Sequence, residues 1–439
     1  MKRVLLPLIS LILSAACGNV GDAEYSVMVN GRKIPVYTAH AEYDGGAYYF
    51  ANFDFKNKAN ISIRSRGDLS NVRILPDKYG FNPVHHRDGC ITFKADRPFH
   101  ISVERDGKIF PLMLFGNRPD KAPSPGKDVI RIGPGYHDVP VTELTSGQTL
   151  YLEKGAVLRG AVIAKGDDIT ICGKGIISGE GYEKCKGPAT YLLYAENCRN
   201  LTVKDITVTS PWWWTSVLWN CDGVVIDNMK SCNSNLLNDD SVDICNSRNI
   251  EIRNCFFRSQ DDIIAVKGMD FEGHGACENI LVENCELWTD RANIFRIGYE
   301  CDSDGMRNIT GRNIDVLHYA NKYKSPEHYW SNAVFWIQPS NGMTIEDCHF
   351  EDIRINAEYN DMILIEAKSC FTGRNNGGPF DVVQYTETGS ARNISFRNIS
   401  VTGDPSVFTG EIYIKGYDAE HDITDITTED IYYFGKKVR

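Results

Sequence analysis

A short phrase that keeps returning limits how this chain can fold. A turn residue followed by apolar-x-apolar appears as DITI at Asp168, NLTV at Asn200, GVVI at Gly223, NIEI at Asn249 and NILV at Asn279. It continues as NITG at Asn308, GMTI at Gly342, NISF at Asn393 and DITD at Asp422. Most steps are roughly 20 to 35 residues, and no helical periodicity of useful length lies between them. Short strands at such intervals predict a β-solenoid, in which a coil buries its apolar face only by stacking on its neighbour. A second ladder falls once per coil: LLY at Leu192, VLW at Val217, VDI at Val242, IAV at Ile264, FRI at Phe295, FWI at Phe335, ILI at Ile363 and IYI at Ile412. Its inward positions are expected to stack apolar on apolar, with strands about 4.8 Å apart. The Asn and Cys residues flanking the strands are expected to stack too, so Asn-x-Ser/Thr at Asn200 and Asn393 is read as structure rather than as a glycosylation signal.

Residues 24–117 have a different texture. Alternating strands such as YSVMVN, AYYFANFDF, ANISIRS and FHISVE, separated by turns such as NGRK and RDGK, predict a β-sandwich. The Pro/Gly/Lys-rich stretch 118–127 is a linker, leaving 128–439 for the solenoid. Ahead of both, Lys2-Arg3, the apolar VLLPLISLIL and SAAC at Cys17 form an export-type segment, 1–17, too short for a stable membrane anchor. Its ending resembles a bacterial lipoprotein signal with Cys17 as the lipidated residue. Ser14 stands where such signals usually carry Leu, which leaves cleavage and release open. An exported protein is expected, either a cell-surface or periplasmic lipoprotein or a secreted one.

Fourteen cysteines in an exported chain raise the question of disulfides. Several occupy equivalent points of the repeat (Cys198, Cys221, Cys255, Cys285, Cys348), which favours small buried stacking residues over a disulfide framework. No CxxC pair or His/Cys cluster has zinc spacing, and neither metal nor other cofactor is expected. The formal charge of -11 argues against nucleic acid as a partner.

Residues 238–268 read NDDSVDICNSRNIEIRNCFFRSQDDIIAVKG, with two acidic doublets each leading into a ladder strand. In the second ladder's register Asp240 falls beside Asp262, roughly 5 Å away, with Asp261 next to both. Singly, such doublets are ordinary solvated turns or parts of a calcium site. On adjacent rungs they crowd like charges, which raises at least one pKa and lets an ionised carboxylate and a protonated acid coexist near neutrality. Glycoside hydrolysis needs that combination. The next coil places Asn293 on the same rung and Arg296 three residues on, where Arg296 is expected to bind substrate or bias the carboxylates. Lys267 is a further candidate for substrate contact. Trp212, Trp213 and Trp214 cannot all face a core in an extended chain, so at least one is expected at the surface; core packing and a sugar platform both remain open. Trp288, Tyr299, Glu300, Tyr329 and Trp330 are candidates for the same side. Inserts after Val266, Ile297 and Ile365, the longest at 366–392, are expected to shape a groove.

NDDSVDI resembles the NTDGIDI motif of glycoside hydrolase family 28, the polygalacturonases, and SQDDIIAVKG resembles that family's GDD motif with its AIK run. SPWWW, at 210–214, is similar to a family segment one coil earlier. The resemblance spans 128–439 and is strongest over 205–300. It implies an all-β fold, a right-handed parallel β-helix preceded here by the small β-sandwich, and an inverting hydrolase. It also implies Asp261 as general acid, with Asp240 and Asp262 holding and activating the water. The family's GHG segment is replaced at its rung by NIFRIG, and the GHG that begins at Gly273 precedes strand ENILV, so His274 is read as a loop residue. An Arg-x-Lys pair that grips galacturonate has no match near Phe335. A sandwich ahead of the helix, and a third rung lacking His, are similar to family 49, the dextranase-like enzymes, which use a comparable Asp trio. The expected activity is therefore cleavage of glycosidic bonds in a polysaccharide or oligosaccharide. Two alternatives stand beside it. A polysaccharide lyase on the same fold would need cationic or metal neutralisation of a uronate, and the chain has no clear Lys/Arg array for it. A non-catalytic glycan-binding solenoid would not depend on the aspartates.

Overall fold

The computed structural model describes residues 24–40, 47–105, 110–119, 121–233, 236–269, 275–299, 301, 303–319, 332–357, 363–369, 373–375, 382–384, 387–405 and 410–439. The export-type segment with Cys17, His274, Glu300, Tyr329, Trp330 and much of the 366–392 insert lie outside them.

The N-terminal region forms two five-stranded sheets. Tyr25–Val29, Ala59–Ser65 and Ile91–Ala95 form the centre of the first, antiparallel throughout, and their alternation turns Val27, Ile61, Ile63 and Phe93 inward. The second sheet is centred on Ala47–Asp54, Leu112–Asn117 and Phe99–Glu104. Every residue of Phe99–Glu104 and Leu112–Asn117 is buried. The reason is that this sheet is covered on both faces. Phe53, Phe99, Ile101 and Leu114 meet the first sheet, while Tyr48, Phe50, Met113 and Phe115 meet Val157, Ile176, Phe256, Trp288 and Leu317 of the solenoid. Polar contacts cross the same seam: Tyr48 Oη donates to the Cys232 carbonyl at 2.7 Å, and Lys230 Nζ to Asn117 Oδ1 at 2.8 Å.

From Val129 onward the strands join one continuous sheet, paired in parallel between successive coils apart from a short antiparallel end, except that Gly373–Asn375 and Val382–Gln384 form a separate antiparallel pair. One central coil runs through Val242–Cys245, Arg248–Arg253 and Phe256–Ser259; the next runs through Ile264–Lys267, Cys277–Glu283 and Glu286–Thr289, each strand beneath its predecessor. Ile244, Val266, Ile250, Ile280, Phe257 and Leu287 fill the interior. The third strands of these coils carry the sandwich, through Phe256 and Trp288.

Corners are made by asparagines in the left-handed region. Asn249, Asn279 and Asn308 have φ of 57°, 57° and 55° at one corner, and Asn254, Asn284 and Asn313 have 54°, 56° and 51° at the next. Asn tolerates this backbone state better than other side chains with a Cβ. Stacked amides then bond to one another: Asn279 Nδ2 donates to Asn249 Oδ1 at 3.0 Å, and Asn308 Nδ2 to Asn279 Oδ1 at 2.7 Å. Cys198, Cys221, Cys255, Cys285 and Cys348 are buried free thiols, and Cys221 Sγ donates to the Ala195 carbonyl of the preceding coil at 3.5 Å.

The pairing places Val242, Ile264, Phe295 and Phe335 on one rung line, as the sequence register has them. It corrects that register on both flanks. Val242 pairs with Ser216, not Val217; Val217 pairs with Tyr194 and Asp243 and so faces outward. Phe335 pairs with Ile365, not Ile363. In the first ladder Ile309 pairs with Cys348, which sets Asn308 beside Asp347 rather than Gly342, and Ile394 pairs with Ile426, which sets Asn393 beside Asp425 rather than Asp422. Similar phrases three to five residues apart compete there, and inserts of unequal length hide the offset.

Asn279→Ala forces a non-Asn residue into the left-handed state and removes two amide contacts, for a loss of about 2 kcal/mol. A fall in thermal midpoint of several degrees is expected. Asn279→Gly, which relieves the backbone cost, should fall by clearly less, and equal falls would show that the backbone state contributes nothing.

Candidate active site

Asp239–Asp240 and Asp261–Asp262 occupy equivalent positions in two successive coils, where the chain leaves the strand under the sandwich and enters the outer-groove strand. Backbone pairing fixes the relation: Ser241 N donates to Asp262 O at 2.9 Å, and Ile263 N to Asn293 O at 3.0 Å. One oxygen from each of Asp240, Asp261 and Asp262 lies within 4.8 Å of the other two. Asp240 and Asp262 are almost fully buried, and Asp261 is half-buried.

Each carboxylate is held differently. Asp240 Oδ2 accepts from Lys267 Nζ at 2.9 Å, and Lys267 also ion-pairs with Asp243 Oδ1 at 2.6 Å. The Trp214 ring covers the same ammonium, 3.6 Å from its centroid. Asp262 accepts from Asn293 Nδ2 at 2.7 Å and from Arg296 Nη1 at 3.0 Å. Asp261 meets no cation within ion-pair distance among the described residues; its oxygens accept the backbone N–H groups of Asn238 at 3.1 Å and Asp262 at 3.0 Å. Burial, reinforced by Asp240 and Asp262, pushes Asp261 up to about 7. Burial also raises Asp240 well above the usual carboxylate range against the pull of Lys267, and raises Asp243 to about 6. Burial disfavours the charge on Lys267, but Asp240 and Asp243 more than compensate and raise it.

A charge count makes the division concrete. Asp239, Asp240, Asp243, Asp261 and Asp262 lie together with two paired cations, Lys267 and Arg296. The ion pairs assign one carboxylate charge to Asp262 and one to the Asp240/Asp243 pair around Lys267. Asp239 and Asp261, each pushed up to about 7 by burial, are left without an ion pair among the described residues.

Sequence reasoning missed Asp239 and Asp243. Asp239 is fully buried, and its Oδ1 accepts the N–H groups of Gln260 at 2.7 Å and Asp261 at 3.1 Å, so it pins the turn that carries Asp261. Thr289 Oγ1 holds the Asp261 carbonyl at 2.9 Å from the following coil. Asp239 stands in the first doublet, and the rung offset that pairs Asp240 with Asp262 was a usable signal for it. Asp243 was read as part of an apolar run, and only its outward face shows otherwise.

Several expected contacts need correction. Lys267 is completely buried and clamps Asp240 rather than reaching substrate. Asn293 is turned onto Asp262, and Arg296 takes the second of its two expected roles by pairing with the same carboxylate. Trp212 lies in the solenoid core with Nε1 donating to the Ala189 carbonyl at 2.8 Å, because its position follows the tight chain reversal at Ser210. Trp214 is buried against Lys267 and Tyr191, so Trp213 alone of the three is half-exposed. Trp288 is buried at the sandwich seam, its ring 4.1 Å from the Arg258 guanidinium, which also packs on Tyr48 and pairs with Asp290 at 3.0 Å. Tyr299 is half-buried beside Arg296 and Trp336.

Fold and site together define an all-β parallel helix with a carboxylate cluster at the head of its outer strands. The family model described as glycosyl hydrolases family 28 matches residues 151–289, the span that contains the cluster. Among solved structures, Dex49A from Penicillium minioluteum superposes with a TM-score of 0.66 at 15% identity, covering 94% of this chain and 89% of that one. The polygalacturonase from Erwinia carotovora ssp. carotovora superposes with a TM-score of 0.51 at 15% identity, over 71% of this chain and 89% of that one. No curated protein sequence matches the chain. The family 28 match supports a hydrolase of glycosidic bonds, and the two superpositions show the parallel β-helix fold.

Lys267→Met removes the cation that, among the described residues, pairs with Asp240 and Asp243, at a cost of about 3–5 kcal/mol. Both carboxyls would then have folded pKa values still further above their unfolded ones. Stability is retained where they are protonated, below the unfolded pKa, and lost as pH rises through the raised values. Urea unfolding at pH 4.5 and pH 8 should therefore show a larger deficit against the parent at pH 8; an equal deficit would contradict the assigned ion pairs.

Proposed function

We propose that this protein is an exported glycoside hydrolase that cleaves a polysaccharide or oligosaccharide with inversion at the anomeric carbon, using Asp240, Asp261 and Asp262. The observation that carries the reading is the convergence of three carboxyl groups of which two are cation-held and one is not. The Asp261 carboxyl donates its proton to the glycosidic oxygen as the bond from anomeric carbon to leaving oxygen breaks. Asp240 and Asp262 together hold a water, and as its oxygen bonds to the anomeric carbon one of them takes its proton. The proton taken up and the one given balance, and exchange with solvent resets Asp261. Arg296 holds the charge on Asp262, and Lys267 holds the single charge shared by Asp240 and Asp243. Asn293 aligns Asp262, and Asp239 aligns Asp261.

The oxygens lie closer than the roughly 6.5–9.5 Å common for inverting pairs and nearer the 5–5.5 Å of retaining ones. Against retention stands the engagement of both candidate nucleophiles, Asp240 by Lys267 and Asp262 by Arg296. A water shared by two carboxylates needs no wide gap between acid and base. The composition of residues 1–17 supports export, with Cys17 as the candidate lipid anchor, and the acidic balance gives no support to a nucleic-acid partner.

A panel of neutral and uronic glycans, read by NMR from the first turnovers, should show hydrolysis with an inverted anomer. Asp240→Asn, Asp261→Asn and Asp262→Asn should each lower kcat/KM by roughly 10²–10⁴-fold. The parent's kcat/KM should fall as pH rises through about 7, where Asp261 loses its proton. A retained first product would sink inversion; unsaturated, ultraviolet-absorbing products would show a lyase; unchanged activity in the three variants would leave a binding solenoid.

A further inference from the structure

The outer face of the groove sheet does not end at the carboxylates. In-register pairing puts Tyr194, Val217, Asp243, Ala265 and Arg296 on one outward line, and Glu196, Trp219, Cys245 and Lys267 on the line beside it. Each of the two coils that precede Asp243 thus presents one aromatic ring on these lines, Tyr194 and then Trp219, where Asp243 and Lys267 stand on the two coils that follow. Tyr191, Tyr194, Trp213 and Trp219 are all half-buried, packed around the buried Trp214, Val217 and Cys245. The rings are mutually braced: Tyr191 lies parallel to Trp214 at 5.5 Å and edge-on to Tyr194 at 5.3 Å. The tract runs into the catalytic cluster without a break, because Trp214 covers the Lys267 ammonium that holds Asp240.

We propose that Tyr191, Tyr194 and Trp219 form a sugar-binding tract on the coils preceding Asp240, which holds pyranose rings of the glycan beyond the scissile bond. This deepens the hydrolase reading and rests on it. Rungs are about 4.8 Å apart, so Tyr194, two rungs from Asp243, lies about 10 Å along the groove. That is about two sugar units. Half-buried flat rings suit the apolar C–H faces of pyranoses, and rings packed against their neighbours lose little freedom on binding. A solvated patch would not need this bracing. A plain core cluster would have its rings closed over, as Trp212 is.

The test uses the full chain carrying Asp261→Asn, titrated calorimetrically with isomalto-oligosaccharides and with oligogalacturonides of two to seven units. Affinity should rise with length beyond three units in one of the two series, and the series that does so identifies neutral or uronic sugar. Adding Tyr194→Ala or Trp219→Ala should weaken the long members by about tenfold or more and leave the short ones unchanged, while Tyr194→Phe restores binding and guards against misfolding. Length-independent affinity, equal losses at every length, or no binding in either series would overturn the tract. In the active chain, Tyr194→Ala should reduce kcat/KM only for long oligomers. If the aspartate variants abolish hydrolysis while Tyr194→Ala has no effect, the tract fails and the hydrolase reading stands; the reverse result rejects the hydrolase reading alone.

Discussion

Parallel stacking of coils at one strand spacing is the constraint on which the other features depend. It lets a chain place residues more than twenty positions apart within a few ångströms of each other, and it does so repeatedly along the axis. For most residues the outcome is like on like: Ile250 over Ile280, Asn279 over Asn308, Phe295 over Phe335. Amides gain from such stacking because each is both donor and acceptor. Carboxylates do not, and where Asp240 meets Asp262 the stack creates a repulsion that must be offset locally.

Lys267 and Arg296 supply that offset, and their placement sets the chemistry. Both stand on the outer face of the sheet, one coil below the carboxylate they neutralise, and both are taken up by that contact. Two cations serve five carboxyls, and among Asp240, Asp261 and Asp262 the one without an ion pair to a described residue is Asp261. The acid is thus defined by what it lacks. Removing a cation or adding one would change which carboxyl carries the proton, even with every backbone atom in place.

The sandwich contributes from behind. Tyr48 packs on Arg258, Arg258 pairs with Asp290, and Asp290 opens the turn that leads to Asn293. The second sheet is covered on both faces, which explains why Leu112–Asn117 lacks the alternation seen in Tyr25–Val29. An N-terminal region of this kind is an integral layer of the molecule and braces the strands from which the acidic turns emerge.

The sequence by itself determined the solenoid, the corners and the adjacency of the two acidic doublets, because a parallel stack converts a periodic phrase directly into spatial neighbours. It carried the central register from Val242 to Phe335 for the same reason. Its reading slipped where inserts blur the period, as at Val217 and Gly342. Tertiary structure alone decided which side chains stay available. Trp212, Trp214 and Lys267 look like binding residues in one dimension, yet packing commits them to the core, to a cation and to a carboxylate. Asp239 and Asp243 look incidental, yet their burial makes them part of the charge and hydrogen-bond balance. Periodicity is encoded residue by residue, whereas burial and ion pairing depend on what several distant segments do at once.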